Sequence, residues 1–256
     1  MKESVRKAIK QRLRRGDTLY GTFIALNSPD AVEVLGISGF DFVVIDTEHG
    51  PMSVESTTNL IRAAEVREMA AFTRVTSAST STILRSLDVG PAGVMVPQVS
   101  NCKAAEKIVA ASHYHPVGTR GLAMPRSSLY GACDVNSYLE RTREDLVIIV
   151  QCESKESLER VAAIAAVPYV DVVFIGPYDL SQSLGVPGEI DHPLVKEAEE
   201  SVLEACSAAG KAAGILAGNG EAAKKKAEQG FRFIGIGLDI LLLSAAAKRE
   251  LQAAKE

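Results

Sequence analysis

The feature that constrains this chain most is its rhythm. Short, continuous apolar runs alternate with helix-patterned stretches through most of the sequence. A run that is apolar at every position, not at every second one, suits a strand covered on both faces in a parallel sheet. A leading helix is expected over residues 4–15. Strands are expected at 19–26, 42–46, 70–75, 93–97, 146–152, 171–176, 212–217 and 232–237. Helices are expected at 30–35, 53–67, 80–89, 101–112, 155–166, 193–209 and 220–229, with a closing helix over 238–255. A short helix near 136–143 follows an irregular stretch from His113 to about Val135, rich in Pro, Gly and Ser. Eight strand–helix units without a break in composition are the tally for a (β/α)8 barrel, an α/β fold, in one domain over 1–256. A doubly wound sheet would need a GxGxxG turn after its first strand, and none is present.

The bulk numbers narrow the function. With 256 residues, 46% of them hydrophobic, the chain can bury a large core. A net charge of -4 and scattered lysines argue against a nucleic-acid surface. Cys102, Cys133, Cys152 and Cys206 form no CxxC pair, so neither a zinc ribbon nor a disulfide framework is indicated, and reduced thiols in the cytosol fit best. The opening MKESVRKAIKQRLRRGD lacks the apolar centre of a signal peptide, and no run reaches membrane-spanning length. A cytoplasmic protein is expected.

In such a barrel, chemistry sits at the carboxyl ends of the strands. Two of those ends bear acids, Glu153 after LVIIVQC and Asp179 in VDVVFIGPYDLS. If the strands are parallel neighbours, two hard-oxygen ligands reach one rim and make a divalent-cation site. The alternative is that each acid caps the next helix or pairs with a base. Asp46-Thr-Glu48-His49-Gly50 follows the second strand, Arg74 ends the third, Gln151 precedes Glu153, and Gly176-Pro177-Tyr178 precedes Asp179. Arg74 suits a carboxylate or a developing enolate oxygen, or neutralises a barrel acid. His49 can move a proton near neutral pH, oriented by a carboxylate such as Asp46, or be structural. Backbone N–H groups around Gly176 and Tyr178 can receive a carboxylate, whereas Pro177 has none to donate. His113-Tyr-His115 has the spacing of a metal pair, but it exits a helix before Pro116 and reads as structural.

The segments GFDFVVIDTEHGP, LDVGPAGVMVPQV, YHPVGTRG, VQCES, DVVFIGPYDLS and IGIGLD, with the Arg74 strand, resemble the HpcH/HpaI aldolase/citrate lyase family from about residue 20 to 245. The resemblance implies a TIM barrel using Mg2+, Mn2+ or Co2+. It implies Glu153 and Asp179 as metal ligands, with Gln151 holding metal-bound water or substrate. Arg74 would bind the keto or enolate oxygen, and His49 would pair with Asp46 or with Asp88 of a packed subunit. The family reversibly cleaves 4-hydroxy-2-oxo acids, including 2-keto-3-deoxy sugar acids, into an aldehyde and pyruvate by way of its metal-bound enolate. Gly176, Pro177, Tyr178 and Leu216 are the further expected substrate-binding residues. After Arg120-Gly121 the chain reads LAMPRSSLYGACD where the sugar-acid aldolases carry a longer alanine- and arginine-rich segment. Arg126 is expected to substitute for one of those arginines on the aldehyde side.

Related lyase or decarboxylase chemistry on oxaloacetate or a CoA thioester is the alternative, as is a catalytically silent barrel that binds a small acid. A Schiff-base mechanism would need a buried lysine, and only Lys155 lies just past a strand end. The tail LDILLLSAAAKRELQAAKE carries more apolar surface than one barrel helix requires, which points to a homo-oligomer; the resemblance implies a hexamer.

Overall fold

In a computed structural model, which describes residues 3–256, eight parallel strands close into a barrel in sequence order. Helix α1 (Glu3–Arg15) precedes β1 (Leu19–Ile24), and α2 (Pro29–Ile37), β2 (Phe42–Asp46), α3 (Val54–Val66), β3 (Ala70–Arg74), α4 (Thr80–Asp88), β4 (Gly93–Val96) and α5 (Cys102–Ser112) complete the first half. A 3-10 turn (Arg126–Gly131) and α6 (Val135–Asp145) lead to β5 (Val147–Cys152). Then come α7 (Lys155–Glu159), α8 (Val161–Ala165), β6 (Val172–Ile175), α9 (Pro177–Ser183), α10 (Pro193–Ala209), β7 (Ala212–Ala217), α11 (Gly220–Gln229), β8 (Phe233–Leu238) and α12 (Asp239–Ala253). The expected (β/α)8 architecture is the observed one. The expected helix 155–166 is two short helices broken at Arg160, and α9 occupies a stretch for which no helix is expected.

Strand alternation sorts the core into two layers. Phe42 and Val44 of β2, and Ala70 and Phe72 of β3, point into the barrel, while Val43, Ile45 and Ala71 point outward against Leu60 and Ile61 of α3. The interior is filled by phenylalanines, with Phe42 stacked on Phe233 at 3.9 Å. Gly21 makes that packing possible, because a Cβ there would lie 2.2 Å from the Phe42 ring.

The amino mouth is plugged. Val5, Ile9 and Leu13, one face of α1, are buried in the same cluster as Leu19, Phe42, Ala70, Val147, Val172, Ala212 and Phe233, the first residues of seven strands. Burying each of the three contributes about 1.5–3 kcal/mol. Lys10 goes in with them and is satisfied by an ion pair with Asp171 at 3.2 Å and a hydrogen bond donated to the Leu146 carbonyl. With that mouth closed, the carboxyl rim is the end of the barrel left for a small molecule to approach.

At the other end of the chain, Asp239 accepts hydrogen bonds from the Ala25 and Leu26 amides and ties the start of α12 to the exit of β1. It is the buried residue of that helix, while Leu241 and Leu243 are exposed. No helix among the described residues is long and apolar enough to cross a membrane.

His113, expected to be structural, packs its ring 5.0 Å from that of Tyr169. Both its nitrogens are buried without a hydrogen-bond partner among the described residues. Burial, with the charges of Lys10 and Arg120, pushes its pKa down to about 4. The unfolded chain takes up that proton below about pH 6.5, and the folded chain resists it until about 4. Wild type is therefore expected to lose up to about 1.4 kcal/mol of stability per pH unit, relative to His113→Phe, as pH falls through that window. Urea unfolding of both proteins between pH 7 and pH 4.5 checks this, and parallel stability curves would contradict it.

Candidate active site

The site begins with a register pair. Asp46 ends β2, Arg74 ends β3, and the two are partners across the strands. Both are even-numbered positions on strands whose even positions face inward. Arg74 grips the carboxylate as a fork, Nε donating to Oδ1 at 2.9 Å and Nη2 to Oδ2 at 2.5 Å. Its guanidinium lies 5.1 Å from the centre of the Phe23 ring. Burial works against the Arg74 charge, but Asp46, Glu48 and Glu153 outweigh it and hold the guanidinium charged beyond its ordinary range.

The chain then turns over this pair. Asp46 Oδ1 also accepts from the Glu48 and His49 amides at 3.1 and 3.2 Å. Gly50 is required here, since a Cβ would sit 2.2 Å from the Asp46 carbonyl oxygen. This corrects the expectation that Asp46 orients the His49 ring: its carboxylate is committed to Arg74 and to the loop backbone. The carboxylate beside the imidazole is that of Glu48, whose Oε2 lies 3.9 Å from His49 Nε2 and 3.5 Å from Arg74 Nε. Burial raises the Glu48 pKa, opposed by Arg74 and His49. The His49 side chain is 65% exposed, so its ring stands at the mouth of the site.

Across the barrel, Gln151 and Glu153 lie two residues apart and face the same side. Gln151 Nε2 donates to Glu153 Oε2 at 2.7 Å, and the Gln98 amide donates to Oε1 at 2.7 Å. Gln98, just past β4, sits in the left-handed region at φ 56° to aim that amide. Burial pushes the Glu153 carboxyl up to about 7; the Gln98 hydrogen bond opposes this, Asp179 and Glu48 add to it, and Arg74 draws it down. Asp179 lies in the first turn of α9, which Gly176 opens without a side-chain cap, so the Tyr178 and Asp179 amides are presented to the rim. Gly176 is fixed by the buried acid, because a Cβ would approach Glu153 Oε2 to 2.8 Å. Pro177 is buried at the first helical position and the Tyr178 side chain is exposed. Leu216 packs against the interior cluster from β7, beside Gly235.

Two expected residues lie elsewhere. Asp88 ends α4, a helix running back toward the amino mouth, and pairs with Arg120 at 2.8 Å, so within its own chain it does not meet His49. Arg126 donates to the Val89 carbonyl at 2.8 Å and pairs with Glu65 at the end of α3. Its Nη1 also lies beside Gly90, next to Arg6 of α1, the helix that plugs the amino mouth. Within its own chain Arg126 is therefore a brace at the face opposite the site, away from the aldehyde side expected for it.

The sequence matches the description of the HpcH/HpaI aldolase/citrate lyase family over residues 19–246. The chain belongs to that family. Among its relatives is a hydroxypyruvate/pyruvate aldolase from Chromohalobacter salexigens, 39% identical and aligned over 91% of each chain. A 2-keto-3-deoxy-L-rhamnonate aldolase from Salmonella gallinarum is 35% identical over 94% of this chain and 91% of its own. A crystal structure of a family protein from Burkholderia cenocepacia superposes with a TM-score of 0.93 at 34% identity, covering 98% of this chain and 100% of the other. This member of the HpcH/HpaI family is a carbon–carbon lyase.

The residues present fit a divalent ion. Among the described residues no group of three or more His, Cys, Asp and Glu side chains is gathered for a metal. The rim instead offers two hard carboxylates, Glu153 and Asp179, and a buried amide oxygen, Gln151 Oε1, that has no protein partner among the described residues. Oxygen donors with places left for water and substrate suit an ion of the magnesium type.

Gly176→Ala tests this geometry. The backbone at 176 (φ −90°, ψ 94°) accepts alanine, so the cost lies in the approach to Glu153. The variant is expected to stay folded, within about 2 kcal/mol of wild type, while lyase turnover falls at least tenfold. Undiminished turnover would show that Glu153 need not be held where it is.

Proposed function

We propose that this lyase is a divalent-metal-dependent class II aldolase. It reversibly cleaves a 4-hydroxy-2-oxo acid, such as a 2-keto-3-deoxy sugar acid, into pyruvate and an aldehyde. The observation that carries this reading is the charge balance at the rim. Asp46, Glu48, Glu153 and Asp179 converge there against one guanidinium and one imidazole, and the most buried unpaired acid is Glu153. The names of both relatives, hydroxypyruvate/pyruvate and 2-keto-3-deoxy-L-rhamnonate aldolase, denote action on 2-oxo acids, which supports the substrate class.

Glu153 and Asp179 would hold Mg2+, Mn2+ or Co2+, which when bound supplies Lewis acidity at the keto acid. The amides of Tyr178 and Asp179 receive the substrate carboxylate at the uncapped start of α9. Leu216, with Phe23 behind it, gives the pyruvyl methylene an apolar wall. Cleavage takes the proton from the C4 hydroxyl and breaks the C3–C4 bond. The electron pair moves into an enolate whose charge rests on the keto oxygen. With Nε and Nη2 committed to Asp46, Arg74 keeps Nη1 for that oxygen, already fixed before charge develops. His49 accepts the hydroxyl proton, with Glu48 beside it to stabilise the imidazolium, and a proton returned to C3 completes pyruvate. A role for Asp88 in this pair requires a second copy of the chain, and the exposed leucines of α12 suit a homo-oligomer.

Exhaustive chelation is expected to abolish pyruvate release from a 4-hydroxy-2-oxo acid, with recovery on adding Mn2+, Mg2+ or Co2+. Borohydride in the presence of pyruvate is expected to leave the enzyme active. Arg74→Lys, which breaks the fork, should lower kcat/KM by about 100-fold or more. Turnover surviving chelation would remove the reading.

A further inference from the structure

Behind the catalytic strands lies a second cavity that the aldolase chemistry does not use. It is a pocket of about 430 Å3 between α3 and α4, on the outer side of β2 and β3. Thr73 is an odd position on β3, so it faces this pocket while Arg74 faces the barrel interior.

The lining is unusual for the helix layer of a barrel. Eight of its twelve residues carry a side-chain hydroxyl, one is an arginine and none is an acid, so the pocket is polar with a net positive charge. Two of the hydroxyls make no hydrogen bond among the described residues. Thr57 and Thr73 are 2% and 1% exposed, and both Oγ1 atoms are buried without a partner among the described residues. An unmade hydrogen bond on a buried hydroxyl costs on the order of 1–3 kcal/mol, so two of them bordering one cavity, one from α3 and one from β3, point to something polar held there. Arg85, exposed on α4, makes no hydrogen bond or ion pair among the described residues and borders the same space. Ser53 and Val54 at the start of α3, and Ser81 and Thr82 in the first turn of α4, line the pocket, so the positive ends of two helix dipoles border it.

We propose that this pocket binds a small oxyanion bearing hydroxyl groups, a carboxylate or a phosphate. The anionic head is held by Arg85 and the helix starts, and the hydroxylated part reaches Thr57 and Thr73. The volume exceeds what inorganic phosphate alone fills, which favours a chain of a few hydroxylated carbons. The site is separate from the substrate position, with β2 and β3 forming the wall between them.

Calorimetric titration of the full-length enzyme, with and without saturating pyruvate and Mg2+, tests this, using inorganic phosphate in one arm and D-glycerate in the other. The expected result is saturable binding of at least one anion that persists when pyruvate is present. Binding is expected to weaken at least tenfold in Arg85→Gln and at least threefold in Thr57→Val, with lyase turnover within twofold of wild type in both. The arm that binds distinguishes the phosphate source from the hydroxy-acid source. Arg85 is exposed, so Arg85→Gln carries the test even if Thr57→Val fails to fold. No saturable binding of either anion, binding displaced by pyruvate, or binding unchanged in Arg85→Gln overturns the proposal. Because the readout is binding, a negative result leaves the aldolase reading standing, and loss of that reading leaves this one testable.

Discussion

A carboxylate that is 7% exposed at the inner rim of the barrel sets the terms for everything around it. Removing an ionised acid from water costs several kcal/mol unless hydrogen bonds and opposite charge compensate. Glu153 receives two hydrogen bonds, one from a backbone amide held in a left-handed conformation and one from Gln151. Those two bonds do not balance it, since burial, with Asp179 and Glu48 adding to it, pushes its pKa up to about 7. A cation beside it would reverse that logic and favour the charged form. The deficit of positive charge at this rim thus follows from the placement of side chains and does not depend on any likeness to other proteins.

The fold supplies that placement through register. Pairing of β2 with β3 sets Asp46 opposite Arg74, and pairing of β5 with β6 brings Gln151 and Cys152 beside Phe174 and Ile175, so that Glu153 and Gly176 follow at the same height. Glycine at 176 then lets the backbone pass the acid. Plugging by α1 closes the opposite end of the barrel, while Phe23 and Leu216 make the floor of this rim apolar. A fixed guanidinium over an apolar floor interacts with developing negative charge more strongly than it would in water. Asp46 spends its own charge in holding Arg74 still, so the fork serves orientation more than neutralisation.

Much of this was legible in the chain. The spans of β2, β7, α10 and α11 were readable to the residue, because continuous apolar runs have sharp polar edges and because Gly210 and Gly230 end their helices in left-handed conformations. Helix α9 was hidden because Gly-Pro signals a turn as readily as a helix start, and Pro at the first helical position is compatible with both. Strand-end reasoning located Asp46, Arg74, Gln151 and Glu153 but not who holds whom, since partners 28 residues apart are decided by barrel closure. Gln98 was missed because its contribution is a backbone amide, which leaves no side-chain signature; the one available signal was its place just after β4. Glu48 stood in the motif yet was passed over for its neighbours. Arg126 was misplaced because the stretch it occupies has no periodicity, and its partners on α3 and beside Val89 are set by tertiary packing alone.

The central claim is that Glu153, with the ion it would hold and with Arg74 facing the keto oxygen, makes the methyl group of a bound 2-oxo acid acidic. The most direct measurement is exchange of pyruvate methyl protons for deuterium, followed by proton NMR in D2O with Mg2+ or Mn2+ and no aldehyde. The account predicts steady loss of the methyl signal with wild type and none above background with Glu153→Ala. Exchange that proceeds equally fast without the Glu153 carboxylate would contradict it.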